Sequence, residues 1–259
     1  MWSIATFNVN SVRTRLPVIV RWLSENPVDV LCLQETKVDD AHFPAEPFVS
    51  LGYHAYFHGE KSYNGTAIIS REELFDVRFG FDDGEKPTAE TRLIITRCKN
   101  IHILNTYVPQ GKSIDHPDYT MKLNFLKRIH RLLDNNFSPS NPLLWLGDMN
   151  VAPTEKDVSR PETKKNHVCF HSDVREIFAS VVSWGFVDVF RKHRPGEGEF
   201  TFWDYRVKNA LERNIGWRVD HILATPPLAD LSVDCLADRE VRTWERPSDH
   251  TVVKAVFQE

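Results

Sequence analysis

The sequence has few cysteines and no long apolar run, and both shortages exclude classes of protein. The four cysteines are isolated, and none forms a Cys-x-x-Cys pair, which argues against a disulfide framework or a zinc site and favours a reducing compartment. No run approaches the about 18 apolar residues of a membrane span. The first residues also lack the basic and apolar segments of a secretory signal. We therefore expect a cytoplasmic protein without a membrane partner.

Linkers and an excess of one charge are missing as well. No Gly/Ser/Pro-rich stretch divides the 259 residues, so we predict a single domain over residues 1–259. Hydrophobic residues make up 41% of the chain and charged residues 26%, as in ordinary globular proteins. The net charge of −4 does not indicate a nucleic-acid partner, but the distribution of charge matters more than its sum.

The most informative stretch joins a buried strand to a turn. Residues 143–146 form a short apolar run that predicts a buried strand, which ends at Gly147 and is followed by Asp148 and Asn150. In an extended chain, side chains two positions apart point to the same side. A carboxylate and a carboxamide placed there can hold and activate a water, although Gly-Asp-x-Asn is also ordinary turn chemistry.

Polar residues also follow other predicted strands. Strands over residues 2–8 and 28–33, joined by a helix over about residues 12–25, end at Asn8 and Glu35. Parallel strands place their carboxyl ends at one edge of a sheet. We therefore expect these two side chains to lie close together.

A second strand–helix–strand unit follows later in the chain. It consists of a strand over residues 101–107, a helix over about residues 118–133 and the strand at residue 143. Short strands between residues 53 and 97 separate the two units. The polar groups beside apolar strands form the set Asn8, Asn10, Glu35, Tyr107, Asp148, Asn150, Asp220, Asp249 and His250.

This set suits metal-assisted hydrolysis of a phosphate ester. Glu35 and Asp249 offer carboxylates and Asn8 a neutral carbonyl oxygen, which suits Mg²⁺, with Mn²⁺ as a substitute. The chain has no zinc-protease motif, no Gly-rich phosphate loop and no Gly-x-Ser-x-Gly element, so the predicted nucleophile is water. Each residue alone also has a structural explanation, such as a turn, a cap or a surface ion pair.

Each group of the set has a predicted role. Asp148 takes the proton of the water, and Asn150 orients both. His250, held by Asp220, approaches a phosphate oxygen, because a neighbouring carboxylate favours the imidazolium form. Tyr107 is a further phosphate contact or a proton donor. A second metal would lie at Asp148, Asn150 and His250.

With these residues assembled, the sequence resembles the exonuclease III family of DNA-repair nucleases nearly end to end. The resemblance is carried by Phe7-Asn8-Val9-Asn10, Leu33-Gln34-Glu35-Thr36-Lys37, Tyr107-Val108-Pro109-Gln110-Gly111, Gly147-Asp148-Met149-Asn150, Thr201-Phe202-Trp203, Trp217-Arg218-Val219-Asp220 and Ser248-Asp249-His250. It implies an α/β fold, a four-layer α/β sandwich in which two mixed β-sheets pack face to face between helices.

The resemblance also implies an activity. This is a Mg²⁺-dependent phosphodiesterase acting on double-stranded DNA with abasic sites, nicks or blocked 3′ ends. The family incises DNA 5′ to abasic sites, removes 3′-blocking groups including 3′-phosphate, and acts as a 3′→5′ exonuclease. We expect a nucleoid-associated protein and take a monomer as the default state.

Further residues are implied for substrate binding. Phe202, Trp217 and Val219 match positions that line a small apolar pocket for a base-less sugar, although core packing explains Phe202 and Val219 equally well. Asn10 and Gln110 are further candidates. Candidates for phosphate contacts, which position DNA without reading its sequence, are Arg13, Lys37, Lys61, Lys112, Lys122, Lys164, Lys165 and Arg206.

One position departs from the family pattern. Just before Cys169 the family carries a small or Asn-like residue beside the active site, whereas this chain has Asn166-His167-Val168. We hypothesise that the bulk and positive charge of His167 narrow the cleft or meet a terminal phosphate. That would favour trimming of 3′ ends over incision at an internal abasic site. A solvated histidine is the alternative.

Two other classes of function match parts of the sequence. An inositol-phosphate phosphatase or a sphingomyelinase would share the Glu, Asp-x-Asn and Ser-Asp-His elements, but not the segments Gln34-Glu35-Thr36-Lys37 and Trp217-Arg218-Val219-Asp220. A catalytically inactive DNA-binding module on the same fold would lack a ligand or catalytic residue, and the sequence retains all of them.

Overall fold

The computed structural model describes residues 1–258 as two six-stranded β-sheets that pack face to face, with helices on their outer faces. The strands are β1 Trp2–Asn8, β2 Val30–Gln34, β3 His54–Glu60, β4 Tyr63–Ser70, β5 Phe75–Phe79, β6 Leu93–Cys98, β7 Ile101–Tyr107, β8 Leu143–Asp148, β9 Val187–Asp188, β10 Asp220–Ala224, β11 Ser232–Asp238 and β12 Val252–Phe257. The helices are α1 Val12–Glu25, α2 Glu46–Ser50, α3 Pro117–Asn136, α4 Ser172–Ser183, α5 Val189–His193 and α6 Pro226–Ala229. The predicted four-layer α/β sandwich is confirmed.

Both sheets are mixed and have a parallel pair at their centre. The first sheet has the order β11-β12-β1-β2-β4-β3 and the second the order β5-β6-β7-β8-β10-β9. β1 runs parallel to β2, and β7 runs parallel to β8, whereas the other neighbours are antiparallel. Asn8 pairs with Gln34, and Tyr107 pairs with Asp148, so the strands of each central pair end level with one another.

Apolar side chains fill the three spaces between the four layers. The space between the sheets holds residues from both, including Ile4, Ile68, Ile103 and Ile222. α1 covers the first sheet with one apolar face, and α3 and α4 cover the second. No helix within residues 1–258 is long and apolar enough to cross a membrane.

A buried polar bridge links the two sheets close to these strand ends. Gln34 Nε2 donates to Asn105 Oδ1 at 2.7 Å. Asn105 Nδ2 in turn donates to the carbonyls of Leu33 and Ala67 at 3.2 and 2.9 Å. Because an unpaired buried amide costs about 1–3 kcal/mol, these bonds favour one stacking of the sheets over its alternatives.

The prediction for the central stretch was wrong in one respect. β8 does not end at Gly147 but continues to Asp148, and Asn150 has φ = 50°, in the left-handed region rather than in an extended conformation. Strand alternation therefore does not align Asp148 with Asn150. Instead the chain turns, and the Asn150 backbone N–H donates to Asp148 Oδ1 at 2.9 Å.

Close packing explains the glycine in this stretch. Gly147 has φ = +133°, and a Cβ on it would lie 2.0 Å from the Thr106 carbonyl oxygen on the neighbouring strand β7. Only a residue without a side chain allows β7 and β8 to approach in this way. The glycine thus permits the strand pairing that brings Asp148 beside Tyr107.

A buried ion-pair network ties the loop after β8 to the start of β10. Arg218 Nε donates to Asp157 Oδ1 at 2.7 Å, and a second guanidinium, of Arg191, contacts the same carboxylate. Arg218 also pairs with Asp188 at 2.8 Å. Burial alone would raise the pKa of Asp157, but the Arg218 and Arg191 guanidiniums hold it well below its usual range. The network fixes the chain on both sides of Trp217 and Val219.

We expect Asp157→Asn to lower the free energy of unfolding by about 3 kcal/mol near pH 7, the low end for breaking a buried ion pair, because Asp188 still pairs with Arg218. A carboxylate whose pKa is lower in the folded than in the unfolded state stabilises the fold at pH values above its unfolded pKa. This stabilisation is lost as the pH falls. The difference between variant and parent should therefore shrink by roughly 1 kcal/mol near pH 3, about one unit below an unfolded Asp. Urea unfolding at both pH values measures this.

The matched control is Asp76→Asn, which removes an exposed pair with Arg97 at 3.4 Å. Its effect should stay within about 1 kcal/mol. An Asp157→Asn penalty that is as large near pH 3 as near pH 7 would contradict the assigned electrostatic origin.

Candidate active site

The carboxyl ends of the central strands meet where the two sheets face each other. The buried Asn8 amide joins the sheets there, because its Nδ2 donates to Glu35 Oε1 and to Asp148 Oδ2, both at 2.8 Å. Its Oδ1 accepts the backbone N–H of Asn10 at 3.0 Å. Asn8 thus holds two carboxylates as a donor, and its role as an oxygen ligand of a metal stays a prediction.

Glu35, Asp148 and His250 form a cluster that could hold a cation. One ligand atom from each lies within 4.8 Å of the others. The two carboxylates provide hard oxygen donors for a divalent metal, whereas His250 could bind one only as a neutral imidazole. Asp249, a predicted ligand, is not part of this cluster. Its Oδ1 accepts a hydrogen bond from Asn10 Nδ2 at 3.0 Å.

Lys37 supplies a cation next to this cluster. Its ammonium lies 2.7 Å from Glu35 Oε2 and donates to Asn10 Oδ1 at 2.6 Å. Burial raises the pKa of Glu35, but Lys37 and the Asn8 amide outweigh it and lower the pKa below its usual value. Glu35 is therefore a carboxylate, as a metal ligand must be.

Asp148 is buried and closely surrounded. Besides Asn8, it accepts hydrogen bonds from the Asn150 backbone and from Asn150 Nδ2, the latter at 3.2 Å. Burial raises its pKa, and the nearby Asp220 and Glu35 carboxylates raise it further, against the lowering effect of His250. A carboxylate with raised proton affinity suits the predicted role of a general base.

His250 is held in a chain of hydrogen bonds. Its Nδ1 lies 2.9 Å from Asp220 Oδ2, which also accepts from the Thr201 hydroxyl at 2.6 Å, and its Nε2 lies 3.9 Å from Asp148 Oδ2. Burial lowers the pKa of His250, but Asp220 and Asp148 outweigh it and raise the pKa above its usual range. The imidazolium form is thereby favoured, as its carboxylate neighbour predicted.

Tyr107 completes the inner group. The Arg92 guanidinium lies over its ring, 4.6 Å from the ring centre, and the Glu35 carboxylate is close to its hydroxyl. Burial and the Glu35 charge raise the pKa of Tyr107, so the phenol keeps its proton. It can donate a hydrogen bond but not act as a phenolate.

These groups lie in a cleft of about 490 Å³. The cleft is lined by Glu35, Tyr107, Gln110, Lys112, Asp148, Asn150, His167, Cys169, Phe202, Asp204, Arg206, Trp217, Val219, Asp249 and His250. Of the predicted substrate-binding residues, Asn10 and Lys164 do not line it. Asn10 instead bonds Asp249 and Lys37, and Lys164 Nζ lies 5.7 Å above the Trp217 ring.

One wall of the cleft is made of two aromatic rings in contact, tilted by 34° to each other. The His167 imidazole lies 4.4 Å from the Trp217 ring, and its Nδ1 accepts the backbone N–H of Cys169. Burial, together with the Lys122 and Lys164 ammonium groups, lowers the pKa of His167 to about 4. A positive charge on His167, which the sequence left possible, is therefore disfavoured, because its surroundings favour the neutral form near pH 7. Its bulk beside the site remains.

The predicted phosphate contacts include a second error. Lys122 is completely buried and cannot reach DNA. Lys112 and Arg206 are exposed at the rim, and each already pairs with a neighbouring carboxylate, Asp118 at 2.8 Å and Asp204 at 2.7 Å. A phosphate would have to compete with these exposed pairs, which are weak.

The structure adds two residues to which sequence reasoning assigned no role. Thr201 orients Asp220 and accepts the backbone N–H groups of Val219 and Asp220. Ser248 Oγ donates to the Asn8 carbonyl at 2.7 Å and accepts the His250 N–H at 3.2 Å, which fixes the Asp249-His250 turn against β1. Both lie inside conspicuous motifs, but their partners are distant in sequence.

Comparisons with known proteins match this geometry. The model of the Endonuclease/Exonuclease/phosphatase family matches residues 5–250. Exodeoxyribonuclease III of Haemophilus influenzae is 32% identical over 98% of both chains. An AP endonuclease from Archaeoglobus fulgidus superposes with a TM-score of 0.98 at 50% identity over 100% of both chains. A 3′ phosphatase from Neisseria, bound to a product DNA hairpin, gives 0.93 at 34% identity, also over 100% of both.

Removing the Asp220 charge should change the titration of His250. We expect Asp220→Asn to lower the pKa of His250 by roughly 1–3 pH units, because the hydrogen-bonded one of the three carboxylates that favour imidazolium is lost. Histidine ring signals in NMR spectra, recorded against pH on metal-free protein, report this directly. The buried His221, which contacts Arg218 rather than Asp220, is the internal control. A His250 titration that does not move would refute the assigned coupling.

Proposed function

Since this chain belongs to the exonuclease III/AP endonuclease branch of the endonuclease/exonuclease/phosphatase family, we propose that it is a metal-dependent DNA-repair phosphodiesterase. The proposed reactions are removal of 3′-phosphate and other 3′-blocking groups, 3′→5′ exonuclease action, and incision 5′ to abasic sites. One observation carries the proposal: Glu35, Asp148 and His250 converge at the floor of a cleft that is open to a polymer.

The proposed metal is Mg²⁺, with Mn²⁺ as a substitute, held by Glu35, Asn8 and Asp249. Glu35 fits this role, because its neighbours favour the carboxylate form, and Asp249 adds a second carboxylate in the cleft. The Asn8 amide would have to turn to offer its oxygen, since its Nδ2 faces Glu35 and Asp148. When bound, the cation would neutralise charge on the leaving oxygen. Asp148 also belongs to the acidic cluster, so it is placed to share in holding a cation.

The remaining roles belong to the chain itself. Asp148 accepts the proton of the attacking water, and Asn150 holds Asp148 and the water in place. His250, kept as an imidazolium by Asp220, donates to a non-bridging phosphate oxygen and stabilises the negative charge that grows there. Tyr107 keeps its proton and offers a further donor to the phosphate.

Double-stranded DNA with abasic, nicked or 3′-blocked ends is the proposed partner. Relatives named as an exodeoxyribonuclease and an AP endonuclease, and a 3′ phosphatase bound to a DNA hairpin, support this choice. The proposal treats residues 1–259 as one domain, which the apolar core shared by both sheets supports. A monomer in the cytoplasm, associated with the nucleoid, is part of the same proposal.

The wall formed by His167 and Trp217 supports a preference for processing of 3′ ends. A neutral imidazole stacked on Trp217 takes space where a base-less sugar inside a duplex would have to enter. A terminal phosphate needs less room. We therefore propose that bulk at residue 167, rather than charge, favours 3′-end processing over internal incision.

The general proposal is tested with purified protein, Mg²⁺ and labelled duplexes, and with inositol phosphates and sphingomyelin as competing substrates. We expect turnover of DNA only, complete loss with EDTA, and a loss of about 10²–10⁴-fold for Asp148→Asn. Turnover of the inositol phosphate or the lipid instead would identify a different phosphoesterase. DNA binding without turnover by the parent protein would identify an inactive module.

The preference at residue 167 is tested with two duplexes, one with an internal abasic-site analogue and one with a nick that ends in 3′-phosphate. We expect His167→Gly and His167→Asn to raise internal incision relative to 3′-phosphate release by about tenfold, which is about 1.4 kcal/mol in the barrier. Arg206→Gln, which changes the cleft rim without touching the ring stack, is the control. An unchanged ratio in both His167 variants would reject the preference.

A further inference from the structure

Lys122 is a buried cation for which the proposed reaction has no use. It lies on α3, and its side chain is completely buried. Its ammonium donates to three backbone carbonyls, those of Asn150 at 2.6 Å, Val168 at 2.8 Å and Gln110 at 3.1 Å. Its remaining neighbour is the Cys169 sulfur at 3.9 Å. Backbone oxygens therefore bind the ammonium directly, and the Asp148 carboxylate is near enough to raise its pKa.

The three carbonyls come from three different loops around the cleft. Gln110 follows β7, Asn150 follows β8, and Val168 directly follows His167 in the loop before α4. The side chains of Gln110, Asn150 and His167 all line the cleft. One ammonium group thus connects three segments that are far apart in the sequence but contribute neighbouring parts of the wall.

A buried ammonium is a poor source of stability. Burial lowers the pKa of Lys122, because the charged form loses its hydration. A methionine of similar length would fill the same space without this penalty. The ammonium instead contributes three N–H donors, which hold several carbonyls close to one point. Its contribution is therefore to geometry.

Asn150 is where that geometry matters most. It adopts φ = 50°, a left-handed conformation that Asn enters more readily than most residues, so hydrogen bonds must hold the peptide in place. Its N–H is held by Asp148, its Nδ2 by Asp148 and the Val108 carbonyl, and its own carbonyl by Lys122. Without Lys122 the carbonyl would lose this buried donor. The peptide could then rotate and withdraw Nδ2 from Asp148.

We propose that Lys122 is a positioning residue for the phosphodiesterase centre: its ammonium holds the Asn150 carbonyl and thereby keeps the Asn150 side chain against Asp148. The same ammonium ties the loops of Gln110 and Val168 to that point. This inference rests on the proposed function, in which Asp148 and Asn150 activate the water.

The first experiment compares Lys122→Met with Arg128→Met, a matched control on the same helix. Arg128 is also a buried cation, but it bonds Asp83 and the Pro87 carbonyl, and none of these three residues lines the cleft. Both variants should remain folded at about 20 °C, which thermal unfolding checks before activity is compared. At about 20 °C, Lys122→Met should lower kcat about 10²-fold on a nicked 3′-phosphate duplex, with KM within about threefold. Arg128→Met should keep kcat within about twofold. An equal loss in both variants would overturn the proposal.

A double-mutant cycle tests whether Lys122 acts through Asn150. If it does, Lys122→Met combined with Asn150→Ala should be no more than about threefold slower than Asn150→Ala alone. Losses that multiply would mean that Lys122 acts by another route, and they would overturn the proposal.

An independent readout does not need activity. The NMR signals of the Val151 backbone amide and the Asn150 side-chain amide should move in Lys122→Met and stay in place in Arg128→Met. Unmoved signals in Lys122→Met would reject the positioning role. If the parent protein fails to cleave DNA, the proposed function is lost, but these signals still decide whether Lys122 holds Asn150.

Discussion

Electrostatic repulsion among three carboxylates, two buried and one partly buried, governs the centre of this protein. Glu35, Asp148 and Asp220 come from both sheets and lie close enough that Glu35 and Asp220 each raise the pKa of Asp148. In a low-dielectric interior such repulsion is strong. The fold offsets it with the Asn8 amide, the Lys37 ammonium and the His250 imidazolium. A site built in this way attracts cations, and a cation together with an imidazolium attracts phosphate.

The carboxylates can be held there because the groups behind them are also fixed. The bridge from Gln34 to Asn105 sets the stacking of the sheets, and the pair of Asp157 with Arg218 anchors the segment that carries Trp217 and Val219. Lys122 ties three loops together by binding one backbone carbonyl in each. The inner groups therefore lie on strand ends with little freedom, whereas the outer wall is made of loops, where proteins usually vary their specificity.

A fixed centre surrounded by variable loops is consistent with relatives that share this fold but are named for different activities. An AP endonuclease and a 3′ phosphatase both superpose on the whole chain with TM-scores above 0.9, at 0.98 and 0.93. A shared scaffold and a shared centre do not decide which DNA end or lesion enters, because function depends on the local site. In this chain that outer wall includes the His167 ring, which packs 4.4 Å from the Trp217 ring.

The sequence by itself determined the central strands, the α/β class and the polar groups at the strand ends, because periodicity and turn chemistry depend on neighbours in the chain. It did not predict the edge strands β5 and β11. Only the tertiary structure decided the left-handed turn at Asn150, the neutral state of His167 and the burial of Lys122. Lys122 lies on the same helical face as Tyr119, Leu126 and Ile129, but its charge predicted exposure. Its acceptors, and the groups that set the His167 pKa, are side chains and carbonyls from other segments. Charge state and side-chain direction follow from such contacts, which form only when remote parts of the chain pack together.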